Sequence, residues 1–191
     1  MNYFENYRKM FNRALYTIDE FQILNMETHL INMAKHGTPL LVCGNGGSAA
    51  ITEHLSCDHT KGIACDTDLK PFVIPLQSNV SLNTAIANDI GFSKVFSEQI
   101  KWFSNKFDLL VVSSSGNSPN IINAVKAAKQ KGALTMAMVG FDGGKIKDMV
   151  DICVHVHSDN YGIVEDCHQV IMHSLAQSIR IEHQNHSNLK L

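Results

Sequence analysis

The sequence predicts an α/β fold: a three-layer sandwich with a parallel sheet covered by helices on both faces. Three observations predict it. Five short apolar runs have the length of buried strands: "PLLVC" (39–43), "FVIPL" (72–76), "DLLVVS" (108–113), "LTMAMV" (134–139) and "ICVHV" (152–156). Helical patterns lie between them, best developed at 47–58, 94–104 and 118–131. The runs are continuously apolar rather than alternating, the mark of strands buried on both faces, which βαβ units with right-handed crossovers provide.

The remaining elements follow in order. Residues 2–36 read as one or two amphipathic helices, since Phe4, Tyr7, Phe11, Leu15 and Ile18, then Leu24, Leu30, Ile31 and Met33, recur at roughly helical spacing. Gly37 and Pro39 end this region. A last helix is expected over about 162–183, and the polar tail "HQNHSNLKL" is expected to fray. No repeat, low-complexity tract or linker interrupts the chain. The 191 residues therefore read as a single domain: N-terminal helices over 1–37, an α/β core over 38–183 and a polar tail over 184–191.

Composition excludes several classes. A net charge of −2 offers no bulk basicity for nucleic acid. No apolar run approaches the ~20 residues that span a bilayer. The start, "MNYFENYRKM", lacks the apolar core of a signal peptide, so the expected location is the cytoplasm. The five cysteines have no disulfide-framework spacing, and Cys43 and Cys153, in apolar runs, are expected as small buried hydrophobes.

Ligands of open α/β sheets bind beyond the carboxyl ends of the strands. Two loops stand out there. The first is "GNGGSAA" (44–50), where glycines allow positive φ and close approach and Ser48 opens a helix. The second carries Ser113, Ser114, Ser115 and Ser118 around Gly116, directly before a helix whose first N–H groups are unpaired. Ser118-Pro119 suits an N-cap followed by proline. Hydroxyls and a helix N-terminus together favour an anion. Neither a Walker lysine nor GxGxxG is present. A phosphate held without lysine or metal suggests a sugar monophosphate.

Two pairs carry possible chemistry. His54 and Asp58 are four residues apart and share a helical face. Glu165 and His173, eight apart, differ by about 80° around a helix and can face one cavity. Two imidazoles and two carboxylates could hold a borderline divalent metal or act as a general acid/base pair. A His–x3–Asp pair is also common as a plain surface contact, and acids near a helix start are favoured by the dipole. His155 and His157 read as structural or exposed, His183 and His186 as solvated tail residues.

The motifs "GNGGSAA", "NDIGF" (88–92), "SSSGNSPN" (113–120) and "GFDGGK" (140–145) resemble the sugar isomerase (SIS) domain, and within it the phosphoheptose isomerases. The resemblance covers nearly the whole chain. It implies a five-stranded, flavodoxin-like parallel sheet, and a homotetramer with sites at subunit interfaces and the 1–37 helices serving oligomerisation. It implies an aldose–ketose isomerase converting sedoheptulose 7-phosphate to D-glycero-D-manno-heptose 7-phosphate for lipopolysaccharide or capsule. It maps zinc ligands onto His54, Asp58, Glu165 and His173, and proton transfer onto Asp58 and His173. Ser113, Ser114, Ser115 and Ser118 would hold the phosphate. Asn45, Gly46, Gly47, Ser48, Asp89 and Glu165 would line the sugar, and His168 would stay outside the ligand shell. Three departures from the family pattern are visible: Asp58 stands for Glu, Glu165 for Gln, and Gly162-Ile163 for an Asp-Arg pair. The shorter Asp58 carboxylate is displaced by roughly 1.5 Å. The resemblance also reaches a non-catalytic relative that binds the replication initiator, and a sugar-phosphate sensor is a third reading.

Overall fold

The computed structural model describes residues 2–184. The tail over 185–191, with His186, lies outside the described residues. The N-terminal pattern over 2–36 forms two helices, α1 (Tyr3–Leu15) and α2 (Glu20–His36). Asn2 and Asp19 cap them, their side chains accepting from the N–H groups of Glu5 and Phe21. Gly37, at φ 62°, ends α2 in the left-handed conformation that glycine adopts without strain.

The chain then alternates: β1 (Leu40–Cys43), α3 (Gly47–Cys57), β2 (Val73–Pro75), α4 (Val80–Asp89), α5 (Val95–Trp102), β3 (Asp108–Ser113), α6 (Pro119–Gln130), β4 (Thr135–Val139), β5 (Ile152–His155) and α7 (Tyr161–Glu182). All five predicted strands form, β3 over the whole of its apolar run and the other four a little shorter than theirs. The weak pattern at 80–89 did not single out α4, whose one buried residue is Ile86. The helix predicted over 47–58 continues as a π-helical turn, Asp58–Gly62.

The sheet is parallel throughout, in the order β2-β1-β3-β4-β5. Pairing runs from Leu40 opposite Asp108 to Cys43 opposite Val111. Alternate strand residues face two cores. Val42, Leu110, Val112, Met136 and Met138 meet α2, α3 and α7 on one face, with α1 behind them. Leu41, Cys43, Leu109, Val111 and Val139 meet α4, α5 and α6 on the other. This is the three-layer arrangement the continuous apolar runs require. The order reverses at β1/β3, so the loops leaving these two strands open a crevice between them.

Two sequence expectations are corrected here, at Cys153 and His183, while His155 and His157 are structural and exposed as expected. Cys43 is fully buried, but Cys153 is only half-buried, because β5 is an edge strand. His155 is buried with Nε2 3.0 Å from the Phe141 carbonyl, whereas His157 is exposed. His183 is not a solvated tail residue: it caps α7 and lies half-buried, with Nδ1 3.1 Å from the Ile179 carbonyl.

Two further imidazoles are interior. Burial pushes His59 down to about 4, against the opposing pull of the Met172 carbonyl and Asp58. Burial likewise pushes His168 down to about 4; it lies near the Val139 carbonyl without a well-aligned hydrogen bond to either ring nitrogen. Both folded values are below the ordinary ~6.5. The unfolded chain therefore takes up these protons first as pH falls. Stability is full above about 6.5 and declines toward pH 4, by roughly a few kcal/mol in all. Denaturant melts should show lower stability at pH 5 than at pH 7.5; a flat profile over that window would contradict the assignment.

Candidate active site

The glycine loop leaves β1 and the serine loop leaves β3, side by side at the switch point. A reciprocal amide pair joins them. Asn45 Nδ2 donates to Asn120 Oδ1 at 3.0 Å, and Asn120 Nδ2 donates to Asn45 Oδ1 at 2.8 Å. Asn120 is buried at the start of α6, so the pair fixes the crevice floor. Asn45, expected to meet sugar hydroxyls, is thus already engaged.

In the glycine loop only Gly46 has positive φ, at 55°. Gly44 is required for a different reason: a Cβ there would collide with the Ser48 and Ala49 backbone as the chain doubles back into α3. Ser48 is buried within the first turn of α3. Gly47 makes room for Glu165, whose carboxylate a Cβ would overlap.

The serine loop turns at Gly116, with φ 63°, where a Cβ would overlap the Gly143 carbonyl. Ser113 Oγ accepts from the Gly116 N–H at 3.2 Å. Ser115 Oγ accepts a long bond, 3.4 Å, from the Asn117 N–H. Ser114 Oγ is buried without a hydrogen-bond partner. An orphaned buried hydroxyl is costly unless something else satisfies it. Ser118 occupies the N-cap position ahead of Pro119, as expected, but its side chain makes no capping bond. Two of the four hydroxyls are therefore uncommitted beside a helix N-terminus, which suits an anion.

The second part of the site lies between α3 and α7. His54 Nε2 and His173 Nε2 are each 3.5 Å from Asp58 Oδ2. The two rings meet edge to face, with centroids 4.9 Å apart. One ligand atom from each of His54, Asp58 and His173 lies within 4.8 Å of the others. Asp58 begins the π-helical turn, and its N–H is shared between the His54 and Leu55 carbonyls. Such turns commonly mark functional positions.

Of the four residues nominated as ligands, the structure brings together three. Glu165 lies instead one end up α7, against Gly47 at the first turn of α3, where a helix N-terminus favours a carboxylate. Burial and, next, the neighbouring Asp166 hold its carboxyl above the usual range. Gln169, which the sequence reading passed over, stands between the two histidines. Its Nε2 is 2.8 Å from His54 Nδ1 and 3.2 Å from His173 Nε2. The signal was present in the spacing, since 165, 169 and 173 fall on one helical stripe. His168 is buried away from the cluster, as expected. Asp89 sits on the exposed last turn of α4, where its side chain accepts from Asn88 Nδ2 at 2.7 Å.

The sequence profile of the SIS domain matches residues 2–140. The chain belongs to the SIS-domain family. Within that family, it is 33% identical to a phosphoheptose isomerase of Helicobacter pylori (strain P12) over 95% of this chain and 94% of the relative. A phosphoheptose isomerase of Aliarcobacter butzleri is 37% identical over 78% of this chain and 79% of its own. The solved phosphoheptose isomerase of Francisella tularensis superposes with a TM-score of 0.84, at 29% identity, over 94% of this chain and 95% of that one. The fold is thus shared along nearly the whole chain.

Proposed function

We propose that this SIS-domain protein is a phosphoheptose isomerase, an aldose–ketose isomerase acting on sedoheptulose 7-phosphate to give D-glycero-D-manno-heptose 7-phosphate for lipopolysaccharide or capsule. The observation that carries this reading is the convergence of His54, Asp58 and His173 in a chain similar to phosphoheptose isomerases from end to end. A scaffold or sensor has no use for a half-exposed imidazole–carboxylate cluster beside a phosphate cradle. The working location is the cytoplasm; no described helix is long and apolar enough to cross a membrane.

The phosphate is held by Ser113, Ser114, Ser115 and Ser118 with the N-terminus of α6. The uncommitted Ser114 and Ser118 hydroxyls donate to its oxygens. Gly46, Gly47 and Ser48 allow the sugar to approach the backbone closely. Asp89 and Glu165 remain candidates for hydroxyl contacts from the rim.

The reaction moves one proton between carbons. A base removes a C1 proton from the ketose while the C2 oxygen is protonated, giving an enediol. The proton then returns to C2 as the O1 hydroxyl loses its own, leaving the aldehyde at C1. Asp58 and His173 are assigned these transfers. Asp58 Oδ2 faces both imidazoles, which leaves Oδ1 to accept a proton, and His173 handles the oxygen protons.

Two imidazoles and a carboxylate converging within 4.8 Å fit a borderline divalent cation, zinc being the ion such donors suit. His54, Asp58 and His173 would hold it. When bound, it would supply Lewis-acid polarisation of the substrate carbonyl. The deciding experiment is incubation of the purified protein with sedoheptulose 7-phosphate, followed by NMR. The aldose product is expected; an unchanged substrate with a different sugar phosphate isomerised would reassign the substrate.

A homotetramer with sites between subunits belongs to the same proposal. Its support is an apolar set on the N-terminal helices: Tyr3, Phe4, Phe21 and Leu24 are 58–73% exposed. Exposed aromatics in this number on one segment suit an interface. Light scattering at micromolar concentration should report four chains, and a monomer would contradict it.

A further inference from the structure

We propose that Asn120 is a positioning residue: acting through Asn45, it holds the glycine loop at a fixed place beside the phosphate cradle, so that the two ends of a sugar phosphate are gripped as one unit. The inference rests on the cradle reading above and adds to it a residue that does not itself touch the ligand.

Asn120 is the second residue of α6, whose N-terminus completes the cradle. It is only 2% exposed, so its amide faces protein rather than ligand. A buried amide is costly unless it is paired. Three hydrogen bonds pair it. Its Nδ2 donates to Asn45 Oδ1 at 2.8 Å, and its Oδ1 accepts from Asn45 Nδ2 at 3.0 Å and from the Ile121 N–H at 3.0 Å. Among the described residues, no other hydrogen bond joins 45–47 to 114–120.

The serine loop is braced separately, by the loop that follows β4. The Gly140 N–H donates to the Ser114 carbonyl at 2.9 Å, the Ile146 N–H to the Gly116 carbonyl at 3.2 Å, and the Lys145 N–H to Asn117 Oδ1 at 3.1 Å. The cradle therefore has supports that do not involve Asn45. The glycine loop, which turns at Gly46 with φ 55°, is the partner that the amide pair restrains.

Asn45 is half-buried at the crevice. The reciprocal bonds leave its amide one N–H and one oxygen lone pair for a ligand. One bond would let the amide swing, whereas two opposed bonds lock its plane. Asn120 thus decides where the free N–H and lone pair of Asn45 point. Inorganic phosphate needs the cradle alone. A sugar phosphate must also meet the glycine loop at a set distance from it, and that distance is what the pair fixes.

The test uses the full-length protein and two probes. Inorganic phosphate is titrated by calorimetry, and sedoheptulose 7-phosphate is followed by NMR for KM and kcat. Asn120→Ala should bind inorganic phosphate with the parent's affinity. Its KM for the sugar phosphate should rise by about tenfold, the value of a lost hydrogen bond. Its kcat should fall by about 10²-fold, as the sugar shifts against the acid/base groups. The double variant Asn45→Ala/Asn120→Ala should lose no more than Asn45→Ala alone, because Asn120 acts only through Asn45. If Asn120→Ala does not fold, Asn120→Ser, with a short hydroxyl suited to a helix start but unable to reach Asn45, carries the same expectations. Equal weakening of both probes would overturn the inference, since α6 itself would have moved. Parental KM and kcat in the variant would overturn it too, as would additive losses in the double variant. In these three cases the parent's own turnover leaves the isomerase reading standing. A parent that binds inorganic phosphate and not the sugar phosphate would remove that reading and the inference with it.

Discussion

His173→Gln is expected to lower kcat by about 10²–10⁴-fold, the range lost when a positioned acid/base group is removed. Glutamine keeps hydrogen-bonding capacity but cannot carry a proton between substrate oxygens. The half-exposed side chain at 173 sits on the surface of the α3–α7 seam, so the fold should survive, which circular dichroism can verify. His168→Gln is the control. His168 is buried away from the cluster, and its replacement should act on stability while leaving turnover per folded molecule nearly intact. Full activity in His173→Gln would remove the residue from the mechanism. Equal losses in the two variants would show that helix α7, rather than the imidazole, was being measured.

Ser115→Asp is expected to abolish sugar-phosphate binding. The introduced carboxylate would lie beside the phosphate. At ~4 Å and an effective dielectric of 20, two like charges repel by about 4 kcal/mol, close to a 10³-fold loss of affinity. Ser115 is only partly buried and its Oγ accepts one long bond, so the aspartate can be accommodated. Ser114→Ala gives the complementary measurement. That hydroxyl has no partner among the described residues, so removing it should cost the fold nothing and weaken phosphate binding by about tenfold, the value of one hydrogen bond to a charged group. Calorimetry with the sugar phosphate separates the cases. Unchanged affinity in Ser115→Asp would mean that the phosphate is held elsewhere.

Asp58 is shorter than glutamate, yet the π-helical turn that starts there still brings its Oδ2 to 3.5 Å from both histidines. At 165, where the resemblance expects an amide, stands a glutamate, while the amide of Gln169, one turn further along the same helix, meets both imidazoles. A stripe of side chains on one helix can exchange roles between neighbouring turns, because positions i and i+4 look out over nearly the same region.

The sequence by itself determined the layers and the two loops at the crevice. Continuous apolar runs such as "DLLVVS", too short for helices, read as strands buried on both faces, and the helical patterns between them call for parallel crossovers. The turn at Gly116 was legible because a tight turn between a strand and a helix needs a residue free to take positive φ whatever surrounds it. Tertiary structure decided what depends on neighbours distant in sequence. The Asn45–Asn120 clasp joins residues 75 positions apart, and nothing local marks either as the other's partner. Gly44 and Gly47 look alike in the sequence, but one yields to the returning backbone and the other to the Glu165 carboxylate. That Gln169 rather than Glu165 meets the two histidines depends on how far α7 is advanced along α3. Periodicity fixes the face a side chain occupies, but only the packing of two helices fixes the level at which they meet.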